Sequence, residues 1–276
     1  MTNCPIVIPV DAKLMRIEED ARTFYTSVLR RLHAERVPFL LGGAFALSHY
    51  SGVARDTKDL DLFIRPCDWD RVAKQLGRAG YEIELTFSHW LGKARSGPHF
   101  IDLIFNSGNG LTPIDEEWFF YAQEASVLGM QVKLVPPEEC IWSKCFVMER
   151  ERFDGADVAH LLRSCAATLD WRRLIDRFGD KWRILAAHVI LFEFIYPGER
   201  DKIPAWVWQE LLGRLTSEMD IPPSPDQRCQ GTLVSRAQYL VDIERWGYKD
   251  ARLVEEGGGM TPSQIDVWTK AINKVG

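Results

Sequence analysis

The run Leu41-Gly-Gly-Ala-Phe-Ala-Leu-Ser-His-Tyr-Ser-Gly-Val-Ala-Arg-Asp-Thr-Lys-Asp-Leu-Asp-Leu-Phe-Ile64 sets two carboxylates, Asp59 and Asp61, one residue apart inside an otherwise apolar stretch. In a strand, residues i and i+2 share a face, so Asp59 and Asp61 stand side by side while Leu60 and Leu62 point the other way. Two like charges that close repel each other, and burying them without partners is costly. A divalent cation resolves the conflict, and hard carboxylate oxygens suit Mg²⁺ or Mn²⁺.

Forty residues on, His99-Phe-Ile-Asp-Leu-Ile-Phe105 repeats the anomaly, with Asp102 the lone acid in an aliphatic and aromatic run. Such a run reads as a strand buried on both faces. Placed beside the first strand in one sheet, it brings three carboxylates to one point. A two-metal site is assembled in this way, with ions about 3.5–4 Å apart clamping the attacking and leaving oxygens of a phosphoryl displacement. Each acid alone has a plainer explanation: Asp102 would cap a turn or pair with a buried arginine, and Asp59-Leu60-Asp61 would end a strand facing water. The three acids together with the upstream glycines favour the metal reading.

Gly42 and Gly43 follow a short strand, Pro38-Phe-Leu-Leu41, and precede a segment of helical character, Ala44-Phe-Ala-Leu-Ser-His-Tyr50. Strand, glycine turn and helix N-terminus make an anion site, because free backbone N–H groups and the helix dipole favour a phosphate there. Arg55-Asp-Thr-Lys58 lies just before the acids, where a guanidinium and a hydroxyl would suit a triphosphate.

Taken together, Gly42-Gly43, Arg55-x-Thr57-x-Asp59-x-Asp61 and an isolated Asp102 resemble the nucleotidyltransferase superfamily with the DNA polymerase β fold, and within it the AbiEii-like branch of bacterial nucleotidyltransferases and toxins. The resemblance implies an α+β fold, with a mixed β-sheet and packed helices over residues 1–136 and a helical C-terminal domain over 137–276. It implies transfer of a nucleoside monophosphate from an NTP, ATP among the candidates, to an acceptor hydroxyl on an RNA end, a protein or another molecule, with release of pyrophosphate. Two Mg²⁺ or Mn²⁺ ions are expected with the bound NTP. By the resemblance, Asp59, Asp61 and Asp102 are the metal ligands, and Asp102 is also the candidate base. Gly42, Gly43, Arg55 and Thr57 would hold the triphosphate, and Lys144 on the first helix after Pro137 would reach toward it. A toxin role with a separate antitoxin protein follows from the resemblance alone. Two departures stand out: many members carry Gly-Ser where this chain has Gly42-Gly43, and the spacing from Gly43 to Asp59 is longer than in the most compact members.

Two other readings compete. Aminoglycoside and lincosamide nucleotidyltransferases share the glycine turn, arginine and Asp-x-Asp arrangement; there Asp102 would deprotonate a sugar hydroxyl, and an acidic surface would suit a cationic drug. A nucleotide-binding module that has lost its chemistry is the third reading, and it sits poorly with three retained acids that cost stability when buried.

Composition sets the bounds. The 276 residues, 46% hydrophobic, suffice for one or two cored domains. The net charge of −5, from 34 basic and 39 acidic residues, gives no general attraction for nucleic acid. Six cysteines, at 4, 67, 140, 145, 165 and 229, show neither Cys-x-x-Cys nor zinc spacing and read as reduced thiols of a cytoplasmic protein. The N-terminal residues lack a secretory pattern. The longest apolar run, 184–196, is too short to cross a membrane and contains His188 and Glu193, so it reads as a buried helix.

Along the chain, residues 11–36 have helical periodicity, 68–77 read as a helix and 81–85 as a strand, followed by a looser segment with His89, Trp90, Lys93 and Arg95. Residues 125–135 read as a hairpin or two short strands around Gly129, and Pro136-Pro137 marks a boundary before helices reaching to about residue 215. Asp154 is expected to cap a helix, with Asp157 structural. Arg163, Arg172, Arg173, Arg177 and Arg183 read as a solvated helical face that is also the best candidate for an RNA contact. Trp118, Phe119 and Phe120 serve an interface or the core. Residues 233–248 read as a helix, 257–259 as a flexible glycine loop, and a last helix begins near Thr261.

Overall fold

Apolar residues three and four apart build α1, Glu19–Ala34, which buries Ala21, Phe24, Tyr25, Val28, Leu29 and Leu32. Its acidic first turn and basic last turn both suit the helix dipole. The computed structural model describes residues 17–54, 56–57 and 59–271, so the part of the expected helix before residue 17 lies outside the described residues. The chain divides into two units, one of residues 1–106 with 113–136 and the other of residues 107–112 with 137–276.

In the first unit α1 leads into β1, Leu40–Leu41, then α2, Gly43–Ser51, and β2, Asp61–Phe63. A 3-10 turn at Pro66–Asp68 opens α3, Trp69–Arg78, followed by β3, Glu82–Phe87; β4, Leu91–Ser96; and β5, His99–Ile104. A short α4, Glu116–Phe120, precedes the hairpin β6, Gln123–Val127, and β7, Met130–Leu134. The seven strands form one mixed sheet in the order β3-β4-β5-β2-β1-β7-β6. The chain is thus α+β, as the sequence indicates.

Leu60, Leu62, Ile101 and Leu103 are fully buried and share a core with Val28, Leu29 and Leu32 of α1 and Val72 and Leu76 of α3. This one-sided burial fixes the register, because a one-residue slip would turn every apolar side chain of a strand to the wrong face. Two expectations are corrected here. β5 is buried on one face: Ile101 and Leu103 point into the core, while Phe100, Asp102 and Ile104 are half-buried on the other. The segment read as looser contains β4, paired antiparallel with both β3 and β5. The hairpin at Gly129 is as expected, with Leu128 and Gly129 both at positive φ, as a type I′ turn requires. Of the three aromatics in α4, Trp118 is a core residue and Phe120 is largely exposed.

The second unit carries α5, Pro137–Cys145; α6, Gly155–Cys165; α7, Trp171–Phe178; α8, Trp182–Ile195; and α9, Ala205–Glu218. Beyond them lie β8, Arg228–Cys229; α10, Leu240–Glu244; β9, Lys249–Asp250; and α11, Pro262–Lys270. The last helix opens on a full capping box between Thr261 and Gln264. The apolar run in α8 is buried on one face only; Ile190 and Phe194 are exposed, Phe194 at 82%. The helix expected over 233–248 shrinks to the five residues of α10. Nor is the glycine loop loosely packed: a methyl at Gly258 would overlap the Arg252 backbone, and one at Gly259 the Gly110 carbonyl.

Truncating a core residue on the face opposite the acids tests this account: Leu103→Ala should cost about 2–5 kcal/mol, read as a lower denaturation midpoint in urea.

Candidate active site

β2 and β5 run parallel with Asp61 directly opposite Asp102. With Asp59 immediately before β2, the three residues present carboxylate oxygens within 4.8 Å of one another, each side chain half-buried. The convergence expected from the sequence is therefore present. Leu60 and Leu62, pointing into the core, lock the acids onto the opposite face.

Each acid is held by its surroundings. The Thr57 hydroxyl lies 2.9 Å from both the carbonyl and Oδ1 of Asp59, so Thr57 organises an acid directly. The Gly42 N–H donates to the Asp61 carbonyl at 3.0 Å. Gly43 has φ +54, and a methyl there would overlap the Asp61 carboxylate; at Gly42 it would overlap the Phe63 ring. The glycines thus let the turn press against the acid strand, and they open α2, whose N-terminus has no side-chain cap among the described residues. A helix start of that kind leaves backbone N–H groups for an anion.

Asp102 also meets Lys93 of β4, directly across the strand pair, with Nζ 2.5 Å from Oδ1. Burial raises the Asp102 pKa above its ordinary value, and the Asp59 charge adds to this; the Lys93 hydrogen bond and charge oppose it without cancelling it. The buried Tyr25 of α1 feels the same cluster: burial first, then Asp59 and Asp61, push its phenol up to about 12. Lys93 and Tyr25 were not singled out from sequence as site residues. Lys93 could have been found from its place in an alternating strand, had β4 been recognised. Arg55 lies outside the described residues.

Lys144 sits in the second unit, on α5, where its ammonium is 3.0 Å from Asp154 and 2.7 Å from Asp157. Burial opposes its charge, but the two carboxylates outweigh that and raise its pKa. Asp154 is the residue before α6 yet makes no capping bond; its carboxylate is taken by Arg152 and Lys144. The basic cluster is also not a solvated face throughout. Arg173 is buried in ion pairs with Glu138 and Glu139, and Arg177 pairs with Glu139.

A mixed sheet that sets three acids beside a glycine turn is the arrangement of the nucleotidyltransferase superfamily. A family model described as "Uncharacterised nucleotidyltransferase" matches residues 19–188, and the chain belongs to this family. No curated protein matches the chain. Among solved structures it is similar to the antibiotic-resistance factor ANT(2'')-Ia, at 17% identity over 62% of this chain and 98% of that one, with a TM-score of 0.42. It is also similar to the lincosamide antibiotic adenylyltransferase LnuA, at 16% identity over 52% and 96% of the two chains, TM-score 0.37. An antigenic nucleotidyltransferase-like protein from Paracoccidioides brasiliensis matches at 16% identity over 62% and 93%, TM-score 0.37.

Two outcomes are expected. Gly43→Ala, which puts a side chain at positive φ against Asp61, should lower stability by about 1–3 kcal/mol, measured by urea unfolding. The Asp154 carboxyl is drawn up by burial, but the Arg152 hydrogen bond and the charges of Lys144 and Arg152 prevail and hold it below its ordinary value. A carboxyl depressed in the folded state contributes stability above its unfolded pKa of about 3.9, and loses that contribution as pH falls through the folded value. Asp154→Asn should therefore be less stable than wild type by roughly 2 kcal/mol at pH 7. Unfolding titrations at stepwise lower pH should show that gap closing below about pH 4.

Proposed function

We propose that this nucleotidyltransferase moves a nucleoside monophosphate from an NTP to an acceptor hydroxyl, using divalent cations held by Asp59, Asp61 and Asp102. The observation that carries the reading is the meeting of three carboxylates within 4.8 Å beside the Gly42-Gly43 turn. The donor set fits a hard divalent ion such as Mg²⁺ or Mn²⁺, being all oxygen with no histidine or cysteine among the three. When bound, such ions supply Lewis-acid stabilisation of charge on the transferring phosphoryl group.

The rest falls to the chain's own groups. The open N-terminus of α2 receives the triphosphate, with the Gly42-Gly43 turn allowing close approach. Thr57 keeps Asp59 in place, and Arg55 is proposed to join the triphosphate contacts. Asp102, whose proton affinity is above that of an exposed aspartate, is suited to take the acceptor proton. The division of labour between a catalytic 1–136 and a helical 137–276 is part of the same proposal. So are membership of the AbiEii-like branch with its antitoxin partner, which rests on the Arg55-x-Thr57-x-Asp59-x-Asp61 signature, and a cytoplasmic location, suggested by the five free cysteines among the described residues.

A small hydroxylated acceptor is favoured over RNA by one observation. Of the five arginines that could have formed a basic footprint, Arg173 and Arg177 are committed to buried carboxylates, while Arg163 pairs with Glu199 and Arg183 with Glu218. With a net charge of −5, the chain offers little counter-charge to a polyphosphate backbone.

The test is transfer of label from each α-labelled NTP, with Mg²⁺ or Mn²⁺, to aminoglycoside and lincosamide panels and to bulk tRNA. Asp61→Asn should reduce transfer by about a hundredfold or more, the loss of several kcal/mol of metal-borne stabilisation. Undiminished transfer by that variant would sink the metal reading, and label on tRNA alone would reverse the acceptor preference.

A further inference from the structure

Lys93, outside the sequence-expected set, touches an acid of the site. Its ammonium is 2.5 Å from Asp102 Oδ1, and both side chains are 16% exposed. It is also packed 4.2 Å from the centroid of the Phe100 ring, on the strand that carries Asp102. Its neighbour two residues on, Arg95, also lies over the Phe100 ring but is more exposed and pairs with Glu84 at 3.3 Å. A shielded ammonium fixed by ring, strand register and carboxylate is a held charge rather than a surface lysine.

We propose that Lys93 is a positioning residue for Asp102: in the nucleotide-free enzyme its ammonium supplies the positive charge that a second divalent cation would otherwise bring to that carboxylate. Lys93 occupies one Asp102 oxygen, and cation and ammonium compete for the same acid. The cluster therefore takes one divalent cation in the absence of nucleotide. A second enters with the triphosphate, whose own charge joins the ligand set. The inference rests on the metal-dependent reading above and adds to it an order of loading and the residue that imposes it.

Mn²⁺ binding to the full-length protein, followed by the EPR signal of free ion, tests this directly without any turnover. Wild type should bind one equivalent alone and two with a non-hydrolysable ATP analogue. Lys93→Gln should bind a second equivalent without nucleotide, or bind Mn²⁺ at least tenfold more tightly, while Lys93→Arg, which keeps the charge, should stay at one. Two equivalents on nucleotide-free wild type would overturn the proposal even if Lys93→Gln failed to fold. Superimposable isotherms for wild type and a folded Lys93→Gln would overturn it too, leaving the metal reading intact. No Mn²⁺ binding by either protein, with or without the analogue, would remove the metal reading and this inference together.

Discussion

Three carboxylates within 4.8 Å of one another repel, and a fold that keeps them there must supply the force from elsewhere. Here the force is apolar. Leu60, Leu62, Ile101 and Leu103 are fully buried on the reverse face of the same two strands, each contributing on the order of 1.5–3 kcal/mol by leaving water. Since side chains alternate strictly along a strand, burying the leucines and isoleucine fixes the aspartates opposite. The parallel register, Asp61 against Asp102, completes the convergence. The acids are thus a load borne by the core, eased locally by Lys93 and by the Thr57 hydroxyl.

The same logic gives the glycine pair a second role. From sequence, Gly42 and Gly43 are expected to form an anion turn; in the fold they are the clearance that lets α2 start against β2. Phe63 fills the space over Gly42, and the Asp61 carboxylate fills the space over Gly43. Both Phe63 and Asp61 stand on the acid face of β2. A side chain at either glycine would push on the site rather than on a distant loop. A serine at the second position, as in many relatives of the resembled superfamily, would meet Asp61 here, so the departure at Gly43 is matched by the close approach of that acid.

What could be read in the chain follows where one physical demand dominates. Asp59, Asp61 and Asp102 stood out because charge in an apolar strand needs a reason, and the β6–β7 hairpin stood out because Gly129 falls between two alternating runs. β4 was missed because Leu91-Gly-Lys-Ala-Arg-Ser96 has little β-branched character and a glycine in its interior. That glycine is there because the Trp69 ring packs where a Cβ would be, a tertiary cause with no local signature. Missing the strand hid Lys93. Residues 257–259 misled in the opposite direction: three glycines suggest freedom, yet the backbone of Arg252 and Gly110 approaches two of them closely. The arginines of α7 misled because helical spacing alone does not reveal that Glu138 and Glu139 of α5 are buried beside them.

Buried charge occurs in both units, and its pattern separates architecture from chemistry. In the second unit acids meet bases: Glu138 and Glu139 with Arg173, Asp154 and Asp157 with Lys144, and Asp250 with Arg252. In such pairs each charge has an opposite partner, so removing either one would leave the other buried and uncompensated. In the first unit Asp59, Asp61 and Asp102 crowd one another, with Lys93 paired to Asp102. That crowding is costly, since three like charges share one small space, where the Lys93 ammonium is paired to Asp102. The proposed metal-dependent chemistry is therefore placed on this cluster, and not on the more deeply buried ion pairs of the second unit.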